Sequence, residues 1–126
     1  MKDFHPKDYP ADEPMVPHGM SVSLTAPEAF RFTFDASPER HVRAAQLLAP
    51  NAGVPTNARE FLPTVLVDLM RDIDIPNGIG AVGYDEGDIP DLVDGTMKQQ
   101  RLLATAPTDV TEDDIAGIFR RSLSLW

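Results

Sequence analysis

The sequence predicts an all-α protein, a helical bundle of about five helices, and three observations carry that prediction. Apolar residues recur at three- and four-residue spacing in two segments, Leu62-Leu66-Leu69-Ile73 and Ile115-Ile118-Phe119-Leu123, the periodicity of a helix with one buried face. Residues that cap helices, or that suit a first turn, stand before the apolar segments: Ser37-Pro38, Asn57, Asp85 or Asp88, and Thr111. Strand-like alternation occurs at Phe30, Phe32 and Phe34, and no second run offers a pairing partner.

Residues 1–17 carry Pro6, Pro10, Pro14 and Pro17. Proline lacks the amide donor and clashes with the preceding turn, so this stretch is expected as an extended proline-rich arm. A helical domain is expected over 18–126. A short helix begins at His18 and runs to about residue 25; Pro27 interrupts it, and a second turn or short helix follows near 27–33. Ser37 caps a helix with Pro38 at its first position, where no useful hydrogen bond is lost. It runs to Leu48 and ends before Pro50 and Gly53.

The longest helix is expected over Asn57–Asp74, with Asn57 and Glu60 at capping-box spacing. Pro63 inside it should kink the helix or delay its regular start. Ile75–Tyr84 is rich in glycine and reads as a flexible loop. Asp85 or Asp88 opens a helix to Lys98 with Ile89, Leu92, Val93 and Met97 inward. Thr111 and Asp114 have capping-box spacing for the last helix. Acidic residues lie at its positive end, and Arg120 and Arg121 at its negative end.

With 126 residues, 42% of them hydrophobic and 25% charged, the chain can form one globular domain. The formal net charge of −9 argues against a nucleic-acid partner, which selects a clustered basic surface. No apolar run approaches the ~20 residues that span a bilayer, so no membrane partner is expected. The absence of cysteine excludes a disulfide framework, a thiolate metal site and a cysteine nucleophile. Met1–Pro10 lacks the apolar stretch of a secretory signal. A cytoplasmic location is expected, with the mitochondrial matrix as the alternative.

The chemical inventory is short. The three histidines, His5, His18 and His41, form no pair at metal-ligand spacing. His41 is expected on a solvated helix face beside Glu39, Arg40 and Arg43, and His5 in the arm. His18 stands apart, between Pro17 and Gly19 at a helix mouth, where glycine leaves room for a close approach. A lone histidine does not make a metal site, which needs three or four convergent ligands. Gly78-Ile79-Gly80-Ala81-Val82-Gly83 fits GxGxxG in form, but without the preceding strand and following helix of a dinucleotide site. From the residues alone, the reading is an acidic helical domain.

Longer blocks extend it. Pro14-Met15-Val16-Pro17-His18-Gly19-Met20-Ser21-Val22 and Leu24-Thr25-Ala26-Pro27 are followed by Phe30, Phe32-Thr33, Pro38-Glu39-Arg40-His41 and Leu47. Lys7-Asp8-Tyr9 precedes them; Gly78–Tyr84 and Asp88-Ile89-Pro90-Asp91-Leu92-Val93 come later. Together these resemble the iron-containing alcohol dehydrogenases, and most closely their hydroxyacid-oxoacid transhydrogenase branch. Glu13, where that branch often has histidine, departs from the pattern. The absence of an Asn-Pro-Arg element near Ala106-Pro107 favours the branch over simple alcohol dehydrogenases.

The resemblance implies the C-terminal part of the dehydroquinate synthase-like/iron alcohol dehydrogenase α domain, incomplete at its N-terminus. It implies a complete enzyme with Fe2+ or another divalent metal in a cleft beside an N-terminal nucleotide-binding domain that takes NAD(P). One aspartate and three histidines hold that metal, and His18 matches the last of them. The implied substrate is a small alcohol or hydroxy acid, with 4-hydroxybutyrate oxidised and 2-oxoglutarate reduced in the transhydrogenase branch. The implied partners are the N-terminal nucleotide-binding domain and the upstream helices, with self-association where apolar stripes stay uncovered. The chain alone is expected to be inactive and to bind no cofactor tightly. The alternatives are a part of an NAD(P)-dependent iron alcohol dehydrogenase, or a non-catalytic helical interaction module.

Overall fold

Prolines and glycines divide the chain into helices of modest length, and burial decides which of those breaks are tolerated. The structure is a computed structural model that describes residues 2–10 and 12–126. Among these residues there are six α-helices and no strand: α1 (His18–Thr33), α2 (Pro38–Leu48), α3 (Phe61–Asp72), α4 (Ile89–Met97), α5 (Gln100–Leu103) and α6 (Glu112–Arg121). Short 3-10 turns join several of them.

α1 runs unbroken through the interruption expected at Pro27, and the alternating phenylalanines are not a strand. Pro27 sits inside it without breaking it. The missing Pro27 amide forfeits a hydrogen bond and costs about 3 kcal/mol in a helix interior. Against that, Leu24 and Pro27 are fully buried, and each buried apolar side chain of this size contributes about 1.5–3 kcal/mol. α3 and α6 both pack on α1, so tertiary contacts outweigh the local defect. Helical geometry brings Phe30 and Phe34 to one side, where both meet the His41 ring edge-on.

α2 begins with Pro38 in its first turn as expected, but the Ser37 side chain makes no cap. The Ser37 main-chain oxygen instead accepts from the His41 amide (3.3 Å) and lies 2.8 Å from His41 Nδ1. α3 begins four residues later than expected. Asn57 caps a 3-10 turn over Ala58–Glu60, accepting from the Arg59 amide at 3.3 Å. Glu60 does not return to Asn57, so the expected capping box is absent; its carboxylate pairs with Arg31 at 2.7 Å. Pro63 thus falls in the first turn of α3, where its missing donor has no partner to lose.

Asp85 and Asp88 form a capping box around the 3-10 turn Glu86–Asp88, and α4 follows. Thr111 and Asp114 form the expected box at α6: the Thr111 amide donates to Asp114 Oδ2 at 2.9 Å, and the Asp114 amide to Thr111 Oγ1 at 3.2 Å. Nothing in the periodicity pointed to the short α5.

The core has two centres. Leu24, Met70, Ile79 and Val82 form one, joined by Phe119, Leu123 and Leu125 from the C-terminal end and by Phe4 and Val16. Ala45, Phe61 and Leu62 form the other, between α2 and α3. Described residues of the segment before α1 pack on the body of the protein. Lys2 Nζ pairs with Asp88 at 2.6 Å and lies over the Tyr84 ring, the Met15 amide donates to the Phe4 carbonyl at 2.8 Å, and Pro6 is buried. The stripe on α6 is covered, with Ile115 and Ile118 buried. At the end of α3 the stripe emerges into solvent, with Leu69 46% and Ile73, just after the helix, 59% exposed.

Candidate metal-ligand turn

Pro17 ends the extended run with φ −55° and ψ 145°, a conformation that its ring favours, and His18 is the first helical residue. The Pro17 carbonyl accepts the Ser21 amide at 2.9 Å and the Ser21 hydroxyl at 3.3 Å, which fixes the start of the helix. His18 is exposed, and among the described residues its ring makes no hydrogen bond. A Cβ placed on Gly19 meets nothing within 4 Å. The packing of this chain therefore does not demand the glycine, and the space beside His18 is open. One turn further along α1, Val22 is also exposed.

The other histidines do not join it. His5 is exposed in the segment before α1. His41 is not the solvated residue expected: it is half-buried, wedged between Phe30 and Phe34, with Nε2 3.0 Å from the Thr33 hydroxyl. Two ring nitrogens engaged in this way make it a strut between α1 and α2. Among the described residues no group of three or more His, Cys, Asp or Glu could hold a metal ion. The residues present thus offer one imidazole donor and do not by themselves fit a metal centre.

The glycine-rich segment is not the flexible turn expected. Ile79–Val82 is a 3-10 turn whose backbone docks on the C-terminal residues: the Ile79 amide donates to the Ser122 carbonyl (2.8 Å) and the Gly80 amide to that of Leu123 (3.0 Å). A Cβ on Gly80 would lie 2.5 Å from the Leu123 oxygen, and one on Gly78 would overlap the oxygens of Ser122 and Leu123. These glycines allow two backbones to meet.

Beside the turn lies an apolar cavity of about 150 Å3, lined by Val16, Ser21, Leu24, Thr25, Tyr84 and Phe119 among others. Its charge-free wall suits hydrocarbon rather than a metal or a carboxylate. Charge is concentrated elsewhere. Glu28, 6% exposed, accepts from Arg31 on its own helix and from Arg121 of α6 at 2.8 Å. Arg31 also clasps Glu60. Its hydrogen bond holds the Glu60 carboxyl below the usual value, and Glu60 in turn raises the Arg31 guanidinium. This clasp went unread in the sequence. The i, i+3 spacing of Glu28 and Arg31 was a signal, but the contributions of Glu60 and Arg121 come from distant segments.

The model of the Fe-containing alcohol dehydrogenase family, C-terminal, matches residues 13–123. The hydroxyacid-oxoacid transhydrogenase, mitochondrial, of Bos taurus is 41% identical over the whole chain, and that of Homo sapiens 42%. A probable hydroxyacid-oxoacid transhydrogenase, mitochondrial, of Dictyostelium discoideum is 36% identical. The chain spans 28% of the length of the bovine relative and 27% of the human one. A crystal structure of 1,3-propanediol oxidoreductase matches 85% of this chain with a TM-score of 0.73 at 26% identity, over 28% of its own length.

Proposed function

The chain belongs to the Fe-containing alcohol dehydrogenase family, and from that premise we propose that it serves as the C-terminal helical part of a hydroxyacid-oxoacid transhydrogenase. The observation that carries this reading is the pairing of whole-chain similarity to such enzymes with an exposed, unengaged imidazole at the Pro17-His18-Gly19 turn. His18 contributes one donor to a centre whose other donors come from polypeptide outside these 126 residues. His18 would hold one position of such a centre, and a divalent metal bound there would supply Lewis-acid chemistry toward the substrate oxygen. The reaction is hydride transfer from a hydroxy acid of the 4-hydroxybutyrate type to an oxo acid of the 2-oxoglutarate type, with NAD(P) held by a nucleotide-binding domain. The word mitochondrial in the relatives' names favours the matrix over the cytoplasm under this reading.

For the polypeptide by itself the proposal is a non-catalytic helical module. The observation behind it is the single donor: one imidazole gives weak, exchangeable metal binding at most.

The test combines this chain with the preceding part of the bovine relative, co-expressed as a second polypeptide. The pair should carry stoichiometric divalent metal and convert 4-hydroxybutyrate and 2-oxoglutarate. His18→Ala should remove the metal while the two polypeptides still co-elute. A His18→Ala pair that keeps its full metal content would refute the ligand assignment. Tight stoichiometric metal in the chain alone would refute the module reading.

A further inference from the structure

We propose that Asn77 is a site of spontaneous deamidation, and that its conversion releases the segment after α6 from the body of the protein. Asn77 is the hub of that segment's attachment. Its Oδ1 accepts from the amides of Leu125 (2.7 Å) and Trp126 (3.1 Å). Its Nδ2 donates to the Ser124 hydroxyl at 3.3 Å and to the Trp126 main-chain oxygen. Leu123 and Leu125 are thereby held against the core centred on Leu24, Met70, Ile79 and Val82.

The same arrangement favours the chemistry. The next residue is Gly78, with φ +70° and no Cβ to shield its amide nitrogen. That nitrogen attacks Asn77 Cγ, forming a new C–N bond and giving up its proton to solvent. The two N–H donors on Oδ1 lie where negative charge develops as the carbonyl is attacked, and such donors stabilise the developing oxyanion. The Cγ–Nδ2 bond then breaks, and ammonia leaves. Water opens the resulting cyclic imide at either carbonyl, giving aspartate or isoaspartate. One water is consumed and one ammonia released, with no change of oxidation state.

Either product undoes the clamp. Aspartate keeps acceptors for the two amides but turns the Nδ2 donor into an anionic oxygen facing the Trp126 oxygen. Isoaspartate routes the main chain through the former side chain and lengthens it beside Gly78, where even an added Cβ would overlap the Ser122 and Leu123 oxygens. The protein carries its own controls. Asn51 precedes Ala52 and Asn57 precedes Ala58, so both have a shielded neighbouring amide, and the Asn57 side chain is occupied as a cap.

The experiment incubates the folded chain at neutral pH and maps its peptides by mass spectrometry over time. Asn77 should convert to a mixture of aspartate and isoaspartate while Asn51 and Asn57 stay intact. Conversion of Asn77 that is absent, or that appears only after unfolding in urea, would overturn the assignment. The converted fraction, separated by ion exchange, is then read by hydrogen exchange. The Leu125 and Trp126 amides should lose their protection there and retain it in the unconverted fraction. Full protection in the converted fraction would overturn the release.

Discussion

His18, His41 and Glu28 show how differently three polar residues of one helical pair can be used. His18 lies outside the packing of this chain, so His18→Ala should change its stability by less than about 0.5 kcal/mol, the range of ordinary surface substitutions. A urea titration followed by circular dichroism checks this. Glu28 is the opposite case, a buried carboxylate with two guanidinium partners. Breaking a buried pair leaves an uncompensated charge, typically at a cost of about 3–5 kcal/mol. Here Arg31 keeps Glu60, and Arg121 reaches solvent, which places Glu28→Ala near 2–3 kcal/mol, below that range. The same titration reads it; a loss under about 0.5 kcal/mol, the surface range, would contradict a structural role for the clasp.

At the scale of elements, helix starts follow local chemistry and helix continuity follows burial. Thr111 and Asp114 cap α6 through their own main chain and side chains, and removal of such a cap costs about 0.5–2 kcal/mol. Thr111→Ala should lower stability by that amount, measurable as a lower thermal midpoint. The join between α1 and the turn before α3 depends on Glu60. Its carboxyl is held below the ordinary value of 4.5, first by the Arg31 hydrogen bond. A group depressed in the folded state contributes stability that is present above its unfolded value and is lost as pH falls through the folded value. Asp88 and Asp114 are likewise lowered from 3.8, by Lys2 and by the Thr111 amide respectively. The chain should therefore hold its stability at neutral pH and lose it as pH falls below the ordinary carboxylate values. Glu60→Gln should flatten that acid limb in denaturant midpoints measured across pH.

Across the whole molecule, apolar surface is distributed unevenly. Leu69 on α3, Ile73 just after it and Val22 on α1 stand in solvent, and Leu69 and Ile73 line an apolar groove of about 130 Å3 with Ala26 of α1. Contiguous apolar surface of this kind favours association. Sedimentation velocity should show mass rising with concentration, and Ile73→Lys should suppress the rise. A monodisperse monomer at every concentration would contradict it.

The amino-acid sequence alone determined the helical class, the starts of α2, α4 and α6, and the Pro17-His18-Gly19 turn. These rest on local properties: proline's missing donor, the reach of a capping side chain, and the spacing of apolar residues. The length of α1 was not legible, because Pro27 is a break by local rules and only packing against α3 and α6 overrides it. The diversion of Glu60 from Asn57 to Arg31, the burial of His41 between Phe30 and Phe34, and the docking of Gly78 and Gly80 on Ser122 and Leu123 were decided by tertiary structure. Each joins residues far apart in the chain or chooses between two local partners of similar strength, and only the folded arrangement sets which partner is within reach.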